Sequence, residues 1–286
     1  MARFAAWLAA NRVRRVVFIA GFFPLPGLGL LSAATVIMSI QLFGAKEALN
    51  DCLLALALLT GIAIVAGGDA SMLMLSAGLS WALWLLLGGL VRKTGSLTLA
   101  VQATVMLALV GLGLMLALLD DPVAYWTEML TTIYADYDID VPADLNEQAV
   151  LMSGVVAAAS MMGAIISLLL GSSWASNVGS GTYREQFRRL RMGYFLGGLA
   201  ALTGVAELFG VDLAGLLLVF GAAFMFQGIS VVAWWGNLLR WPRGWWIGLC
   251  VLPILSPVFF VVVGMVFATL GFVDNWYGLR KPPAGV

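Results

Sequence analysis

Carboxylates recur between two apolar stretches of this 286-residue chain at the spacing of a calcium-binding loop. The segment YADYDIDVPADLNEQ covers residues 134–148, and its acids occupy positions 1, 3, 5, 9 and 12 of the calcium-loop template. These acids are Asp136, Asp138, Asp140, Asp144 and Glu147. The template also needs a glycine at position 6 for a sharp turn, where this chain has Val141. Two interpretations stay open: a solvated acidic loop, which the sequence favours, and a divalent-cation site.

The composition decides what surrounds this loop. Hydrophobic residues make up 62% of the chain and charged residues 10%, whereas soluble domains carry about 25% charged residues. Apolar blocks long enough to cross a bilayer recur along the chain, and the long polar interval is 120–147. We therefore expect one integral membrane domain over residues 1–286, without a separate soluble domain.

The apolar blocks predict an all-α, polytopic transmembrane helix bundle. Six continuous blocks predict full spans over residues 47–66, 71–91, 95–119, 149–171, 193–210 and 213–239. Two more blocks, 16–43 and 245–273, are broken by prolines near the two chain ends. We expect each broken block to form a re-entrant segment or a short hairpin.

The basic residues predict the orientation. If each broken block returns to the side from which it enters, all 15 Lys and Arg residues lie on one face. The positive-inside rule makes that face cytoplasmic, together with both termini. The acidic loop is then extracytoplasmic, and a short amphipathic helix over Val123–Tyr134 is expected to lay Trp126 and Met129 on the membrane surface.

The predicted spans contain few polar side chains, and the acids lie near span ends. A proton-coupled pump or an ion channel is expected to place carboxylates in the middle of the membrane, so these classes are disfavoured. Pairs of nucleophile and base, glycine-rich phosphate loops and metal-ligand spacings are not evident in the sequence. We expect neither an enzyme nor a cofactor.

Two tryptophans lie inside a predicted span, whereas membrane tryptophans normally collect at the interfaces. Helical rise places Trp84 and Gln102 at similar depths on consecutive antiparallel helices, with Trp81 one turn away. An aromatic wall with an amide suits a flat organic ligand, but ordinary helix packing explains the pattern equally. The candidate ligand-binding residues are Trp81, Trp84, Gln102 and the other intramembrane amide, Gln227.

Small residues form a stripe along one face of the predicted span 149–171. Their spacings alternate between four and three, and they are Ser153, Ala157, Ser160, Ala164, Ser167 and Gly171. Small side chains permit close contact between helices in lipid. The stripe predicts either internal packing or a docking face for another membrane subunit.

A basic segment over residues 172–192 lies on the predicted cytoplasmic face. Its sequence TYREQFRRLRMG, residues 182–193, predicts an amphipathic helix with arginines around aromatic and aliphatic side chains. Such a helix binds anionic lipid headgroups or couples to a cytoplasmic partner. The candidate contact residues are Arg184, Phe187, Arg188 and Arg191.

Two motifs carry a resemblance. YREQFRRLR at 183–191 and the ending GFVDNWYGLRK, with Asp274, Trp276 and Arg280 spaced as D-x-W-x-x-x-R, resemble the YybS family of predicted bacterial membrane proteins, whose function is not established. That family is thought to be distantly similar to the substrate-binding membrane subunits (S components) of energy-coupling-factor vitamin transporters. Those subunits bind a vitamin or a metal ion and dock on a transmembrane coupling protein driven by ATPases.

The resemblance implies a small-molecule-binding transporter subunit in the bacterial inner membrane. Its partners would be the lipid bilayer and a coupling protein with ATPases, and the stripe and the D-x-W-x-x-x-R residues become contact candidates. The alternative is a non-enzymatic scaffold or assembly factor that docks other membrane proteins or envelope proteins on its basic face. A nucleic-acid partner is not expected.

Overall fold

The computed structural model describes residues 2–67, 70–179, 181–242, 244 and 257–280. The regular structure in this part of the chain is α-helical, without strands. In chain order the helices are α1 (Ala2–Ala9), α2 (Arg12–Phe22), α3 (Gly29–Phe43), α4 (Ala45–Val65), α5 (Ala70–Thr94), α6 (Leu97–Leu118), α7 (Pro122–Asp136), α8 (Leu145–Val178), α9 (Tyr183–Arg188), α10 (Gly193–Leu208), α11 (Ala214–Leu238) and α12 (Pro257–Tyr277).

Helices α4, α5, α6, α8, α11 and α12 are long and apolar enough to cross a membrane. They confirm the all-α, polytopic fold, and the chain is a multi-pass membrane protein. Helix α10, predicted as a full span, has 16 residues, or about 24 Å at 1.5 Å per residue. That is shorter than a bilayer core of about 30 Å. Gly193 and Gly210 bracket it at positive φ angles of 80° and 83°, which a continuing helix does not allow.

The proline-broken blocks differ from each other. The first forms α2 and α3, joined by the turn over residues 23–28, so the predicted break is confirmed. In the second block, residues 245–256 lie outside the described part of the chain. Pro257 begins α12, whose 21 residues make it long enough to cross by itself. It continues beyond the apolar block to Tyr277, because a helix can extend past the last apolar residue that a hydropathy pattern counts.

Contacts divide the chain into two compact units. Unit 1 comprises Met1–Thr104 and Gly163–Leu190, and unit 2 comprises Val105–Met162 and Arg191–Val286. The boundary within α8 falls between Met162 and Gly163. The single membrane domain over the whole chain stays a prediction.

Helix α3 forms the centre of unit 1, since its residues from Ser32 to Ile40 are buried. It packs against α2, α4 and α5. Two glycines let neighbouring helices approach α3 closely. A Cβ on Gly171 of α8 would lie 2.8 Å from the Ile37 Cβ, and one on Gly88 of α5 would lie 3.2 Å from the Ile37 Cα. Small residues at these crossings let the helix backbones approach, as in other membrane proteins.

In unit 2 the main packing is between α11 and α12. A Cβ on Gly228 would collide with the Phe267 carbonyl, and one on Gly271 would collide with the Phe224 carbonyl. Both glycines therefore let the two backbones touch. This close crossing brings polar residues of α11 beside the end of α12.

Candidate functional site

A buried ionic cluster in unit 2, the Asp274 cluster, comprises Gln227, Ser230, Asp274 and Arg280. The Asp274 carboxylate is completely buried and accepts hydrogen bonds from Arg280 Nη2 at 2.6 Å and Gln227 Nε2 at 2.8 Å. Arg280 is 8% exposed and also donates from Nη1 to Ser230 Oγ at 3.1 Å. The pair is one anion and one cation, with hydrogen bonds to neutral groups around it.

Local structure explains how these residues meet. Gln227 and Ser230 are three residues apart on α11 and therefore share a face. Helix α12 ends at Tyr277, and Gly278 follows at a φ of 62°. That left-handed conformation suits glycine and turns the chain. Arg280 therefore returns to the Asp274 carboxylate, which lies in the last turn of α12.

The cluster also connects to the start of α10. The Met192 N–H donates to Gln227 Oε1 at 2.7 Å. Asn275 bonds twice to the Gly193 backbone, accepting from its N–H and donating to its carbonyl, both at 3.0 Å. The structure thus places a predicted ligand residue, Gln227, in one network with the predicted contact residues Asp274 and Arg280. Both groups of the Gln227 amide are hydrogen-bonded inside unit 2.

Trp276, the remaining residue of the D-x-W-x-x-x-R motif, has a different position. Its side chain is 44% exposed, and its ring lies 5.9 Å from that of Tyr194 and 6.3 Å from that of Phe272. It is therefore available at the surface of unit 2, whereas Asp274 and Arg280 are not.

Unit 1 contains a second buried cluster, the Asp51 cluster, made of Arg12, Arg15 and Asp51. The completely buried Asp51 carboxylate accepts from Arg12 Nε at 3.0 Å and Arg15 Nε at 2.8 Å. Arg15 also donates to the Ala9 carbonyl at 3.0 Å, and its guanidinium lies 4.3 Å from the centre of the Phe43 ring. Arg15 is 7% exposed, but Arg12 is 44% exposed.

Sequence reasoning missed the Asp51 cluster. In the sequence Asp51 lies near the start of a predicted span, and the arginines indicate only the orientation of the chain. A signal was present: Arg12 and Arg15 are three residues apart, which places both on one face of α2. A lone carboxylate in a neighbouring apolar block is the natural partner for that face.

The tryptophans predicted to line a pocket lie in the packed core of unit 1. Trp81 is 2% exposed, and its ring lies 5.3 Å from that of Phe23 in an edge-on arrangement. Trp84 contacts the same phenylalanine ring at 6.2 Å. Trp81 Nε1 has no hydrogen-bond partner within the described residues. Gln102 is partly buried on α6. This aromatic packing matches the second interpretation of the sequence, and ligand binding here stays a prediction.

The stripe of small residues is buried at its two ends. In unit 2, Ser153 is buried and accepts a hydrogen bond from Trp126 Nε1 at 2.8 Å. In unit 1, Ser167 is buried, and a Cβ on Gly171 would lie 2.6 Å from the Ala34 carbonyl. These ends therefore serve internal packing.

The middle of the stripe is more open, since Ala157 and Ala164 are partly buried and Ser160 is exposed. Docking of another subunit there stays a prediction.

The expected position of Trp126 was wrong: it is 6% exposed instead of lying on the membrane surface. The hydrogen bond to Ser153 explains the difference, because it satisfies the indole N–H inside the protein.

The acidic residues of the extramembrane loop do not come together. Asp136 ends α7, Asp138 has a φ of 54°, and Asp144 accepts hydrogen bonds from Gln148 Nε2 at 3.2 Å. Within the described residues, no three acidic, cysteine or histidine side chains could jointly hold a metal ion. Val141 offers no glycine-type turn to wrap the loop around a cation. The structure therefore favours the solvated loop over the calcium site, where Asp140 and Glu147 would also have been ligands.

The basic segment forms a shorter helix than predicted. Helix α9 covers Tyr183–Arg188, and the chain then turns to begin α10 at Gly193. Leu190, in the segment that follows α9, is completely buried. Gln186 Oε1 accepts from the Leu97 N–H at 3.0 Å, which attaches α9 to the start of α6. Arg191, in unit 2, is exposed.

A polar cleft of about 750 Å³ lies between α9 and the last turns of α8, all within unit 1. We call it the α8–α9 cleft. Its polar lining includes Ser173, Ser176, Asn177, Tyr183, Arg184 and Arg188. Burial raises the pKa of Tyr183 to about 12, so its phenol is a neutral donor at physiological pH. Phe187 stacks with Tyr183 at 6.2 Å and supports this wall.

Electrostatics give the cleft a positive character. Glu185 also lines it, but its carboxylate pairs with Arg189 at 2.7 Å. The lining therefore carries two arginines, Arg184 and Arg188, and one glutamate. Guanidinium groups, hydroxyls and amides are donors suited to carboxylates and phosphates.

Comparison of the chain with family models, curated proteins and solved structures finds no match. The resemblance to the YybS family stays a prediction.

Proposed function

We propose that this protein is a multi-pass membrane scaffold that docks an acidic segment of a partner protein in the α8–α9 cleft. The observation that carries the proposal is the pairing of an open, polar cleft with arginines on its lining. By the positive-inside rule this cleft faces the cytoplasm. A partner bound there would be held at the membrane surface while the apolar helices anchor the complex.

The chemistry of the cleft supports an acidic peptide. Arg184 is exposed and Arg188 is half-buried, so both sit at the rim where charge speeds association and selects partners. Asn177 and the serines of α8 also line the cleft and would supply hydrogen bonds to a peptide backbone. The internal pairing of Glu185 with Arg189 keeps repulsion of an acidic segment low.

The transporter-subunit alternative has less support in the geometry. Its candidate pocket needs space beside Trp81, but that side chain lies in a packed cluster. Gln227, which would bind ligand, is hydrogen-bonded to Asp274 and Met192. A subunit of the energy-coupling-factor type therefore rests on the sequence resemblance alone and stays a prediction.

The test is purification from native membranes. The full chain, tagged at its C-terminus and expressed near its natural level, is extracted in mild detergent, and companions are identified by mass spectrometry. We expect a protein with an acidic cytoplasmic segment, recovered less with the Arg184→Gln/Arg188→Gln variant. A synthetic peptide of that segment should bind the purified wild-type chain and compete with the whole partner.

Lys46→Gln/Lys93→Gln is the matched control, because it removes two exposed cations of unit 1 that do not line the cleft. Recovery should then match the wild type. Recovery of a coupling protein with ATPases would favour the transporter subunit instead. A partner that binds the Arg184→Gln/Arg188→Gln variant as well as the wild type would contradict docking in the cleft.

A further inference from the structure

The first two helices carry an aromatic and basic surface that the proposed function does not use. Helix α1 buries Ala5 and Leu8 completely and presents its other side outward. Phe4 is 37% exposed and Trp7 is 48% exposed. An exposed tryptophan beside an apolar membrane domain is typical of the interface between water and lipid.

An arginine is held directly against this tryptophan. The Arg14 guanidinium lies 4.7 Å from the centre of the Trp7 ring, and its Nη1 donates to the Trp7 carbonyl at 3.0 Å. Asn11 fixes the start of α2, because its side chain caps this helix by accepting from the Val13 N–H at 2.8 Å. A guanidinium has five N–H donors, and the remaining ones of Arg14 have no partner within the described residues.

The local charge is positive. Arg12 lies on the side of α2 away from Arg14. It donates from Nε to Asp51. Asp51 is also paired with Arg15, so two guanidiniums share one carboxylate. Arg12 is therefore a surplus cation, and its 44% exposure lets that charge act outside the cluster. Arg14 adds to it, since its own contacts are with neutral groups of Trp7.

We propose that Trp7 and Arg14 bind the phosphate of an anionic phospholipid at the membrane surface. The phosphate would accept from the free Arg14 donors, while the indole orients the guanidinium from behind. Val13 is 68% exposed and Val17 54% exposed, and these side chains suit the lipid glycerol and acyl region. A soluble phosphate ester shares the phosphate chemistry but leaves this apolar surface uncovered, which favours the lipid.

The experiment is native mass spectrometry of the full chain in detergent, titrated with phosphatidylglycerol and separately with zwitterionic phosphatidylcholine. We expect Arg14→Gln to weaken the binding of phosphatidylglycerol roughly fivefold, the effect of one basic residue near an anionic surface. Phosphatidylcholine has the same phosphate beside a choline cation that opposes Arg14, so it should bind more weakly than phosphatidylglycerol and lose less affinity in this variant. Arg14→Lys should restore only part of the loss, because an ammonium keeps the charge but lacks the planar fork.

Two controls keep the result interpretable. Lys93→Gln removes one exposed charge at the end of α5, away from α1, and should bind phosphatidylglycerol as the wild type does. Trp7→Leu keeps an apolar side chain but removes the indole, and should weaken binding without any change in charge. Equal affinity of wild type and Arg14→Gln would overturn the proposal. So would glycerol phosphate that displaces phosphatidylglycerol at similar concentration, since the ligand would then be soluble.

Discussion

Each unit contains a completely buried aspartate, and the two units differ in the side chains that pair with it. In unit 2 the Asp274 carboxylate faces one arginine and one amide, and Arg280 is itself almost buried. In unit 1 the Asp51 carboxylate faces two arginines, one buried and one half-exposed. In the first arrangement the aspartate and its arginine are both buried, whereas the second carries a surplus cation at its edge.

The difference shows what a buried ion pair can do besides stabilise. Removing one partner of such a pair is costly, because the other charge is left without compensation in a poor solvent. The cost depends on whether the remaining charge can reach water. Arg15 sits within α2 and packs on Phe43, so it is fixed. Arg280 lies beyond the end of α12, so its short connecting segment can move.

The comparison predicts that Asp51→Asn has the largest effect. Arg15 would stay buried beside a second arginine, and we expect the free energy of unfolding to fall by about 4 kcal/mol. The measurement is unfolding of the detergent-solubilised chain in an SDS titration. Asp144→Asn makes the same chemical change at an exposed loop position and should leave the transition nearly unchanged. Equal transitions for the two variants would contradict the role given to Asp51.

Asp274→Asn should have the second largest effect. We expect a loss of about 3 kcal/mol, because Arg280 can move partly to water while Gln227 loses a charged partner. The Asp274→Asn/Arg280→Gln double variant should lose less than the sum of the two single variants. Additive losses in the same SDS titration would show that the two side chains are not coupled.

Gly228→Ala tests the close crossing that brings the unit 2 cluster together. The added Cβ would meet the Phe267 carbonyl, so α11 and α12 must separate, and we expect a loss of about 2 kcal/mol. Gly221 lies on the same helix with open space around its missing Cβ. Gly221→Ala is therefore the control and should be neutral or slightly stabilising. Similar effects in both variants would point to helix propensity and not to the crossing.

Helices with long, uninterrupted apolar runs could be predicted from the sequence. The predicted spans 71–91 and 95–119 correspond to Ala70–Thr94 and Leu97–Leu118, because length and hydropathy are local properties of the chain. The prolines at positions 24 and 26 likewise predicted the break between α2 and α3. Helix α10 was predicted too long, since its apolar run continues to Gly210, which has a positive φ and lies beyond the end of the helix at Leu208.

The polar clusters depend on information that hydropathy does not contain. Asp51 and Arg15 are 36 residues apart in the sequence, and their pairing requires α2 to pack against α4. The D-x-W-x-x-x-R motif indicated Asp274 and Arg280 but not Gln227 as their neighbour. That contact needs the close approach of α11 and α12 at Gly228 and Gly271. A single sequence does not show which residues of two helices face each other.

Arg12→Gln should have the smallest effect and most directly tests the asymmetry between the units. Asp51 would keep Arg15 as its partner, and Arg12 is exposed enough that its pair contributes below about 1 kcal/mol. The SDS transition should therefore shift little, whereas Arg15→Gln should shift it clearly, because Arg15 also bonds to Ala9 and packs on Phe43. If both substitutions destabilised equally, Arg12 would be an integral half of the cluster and not a surplus cation at its edge.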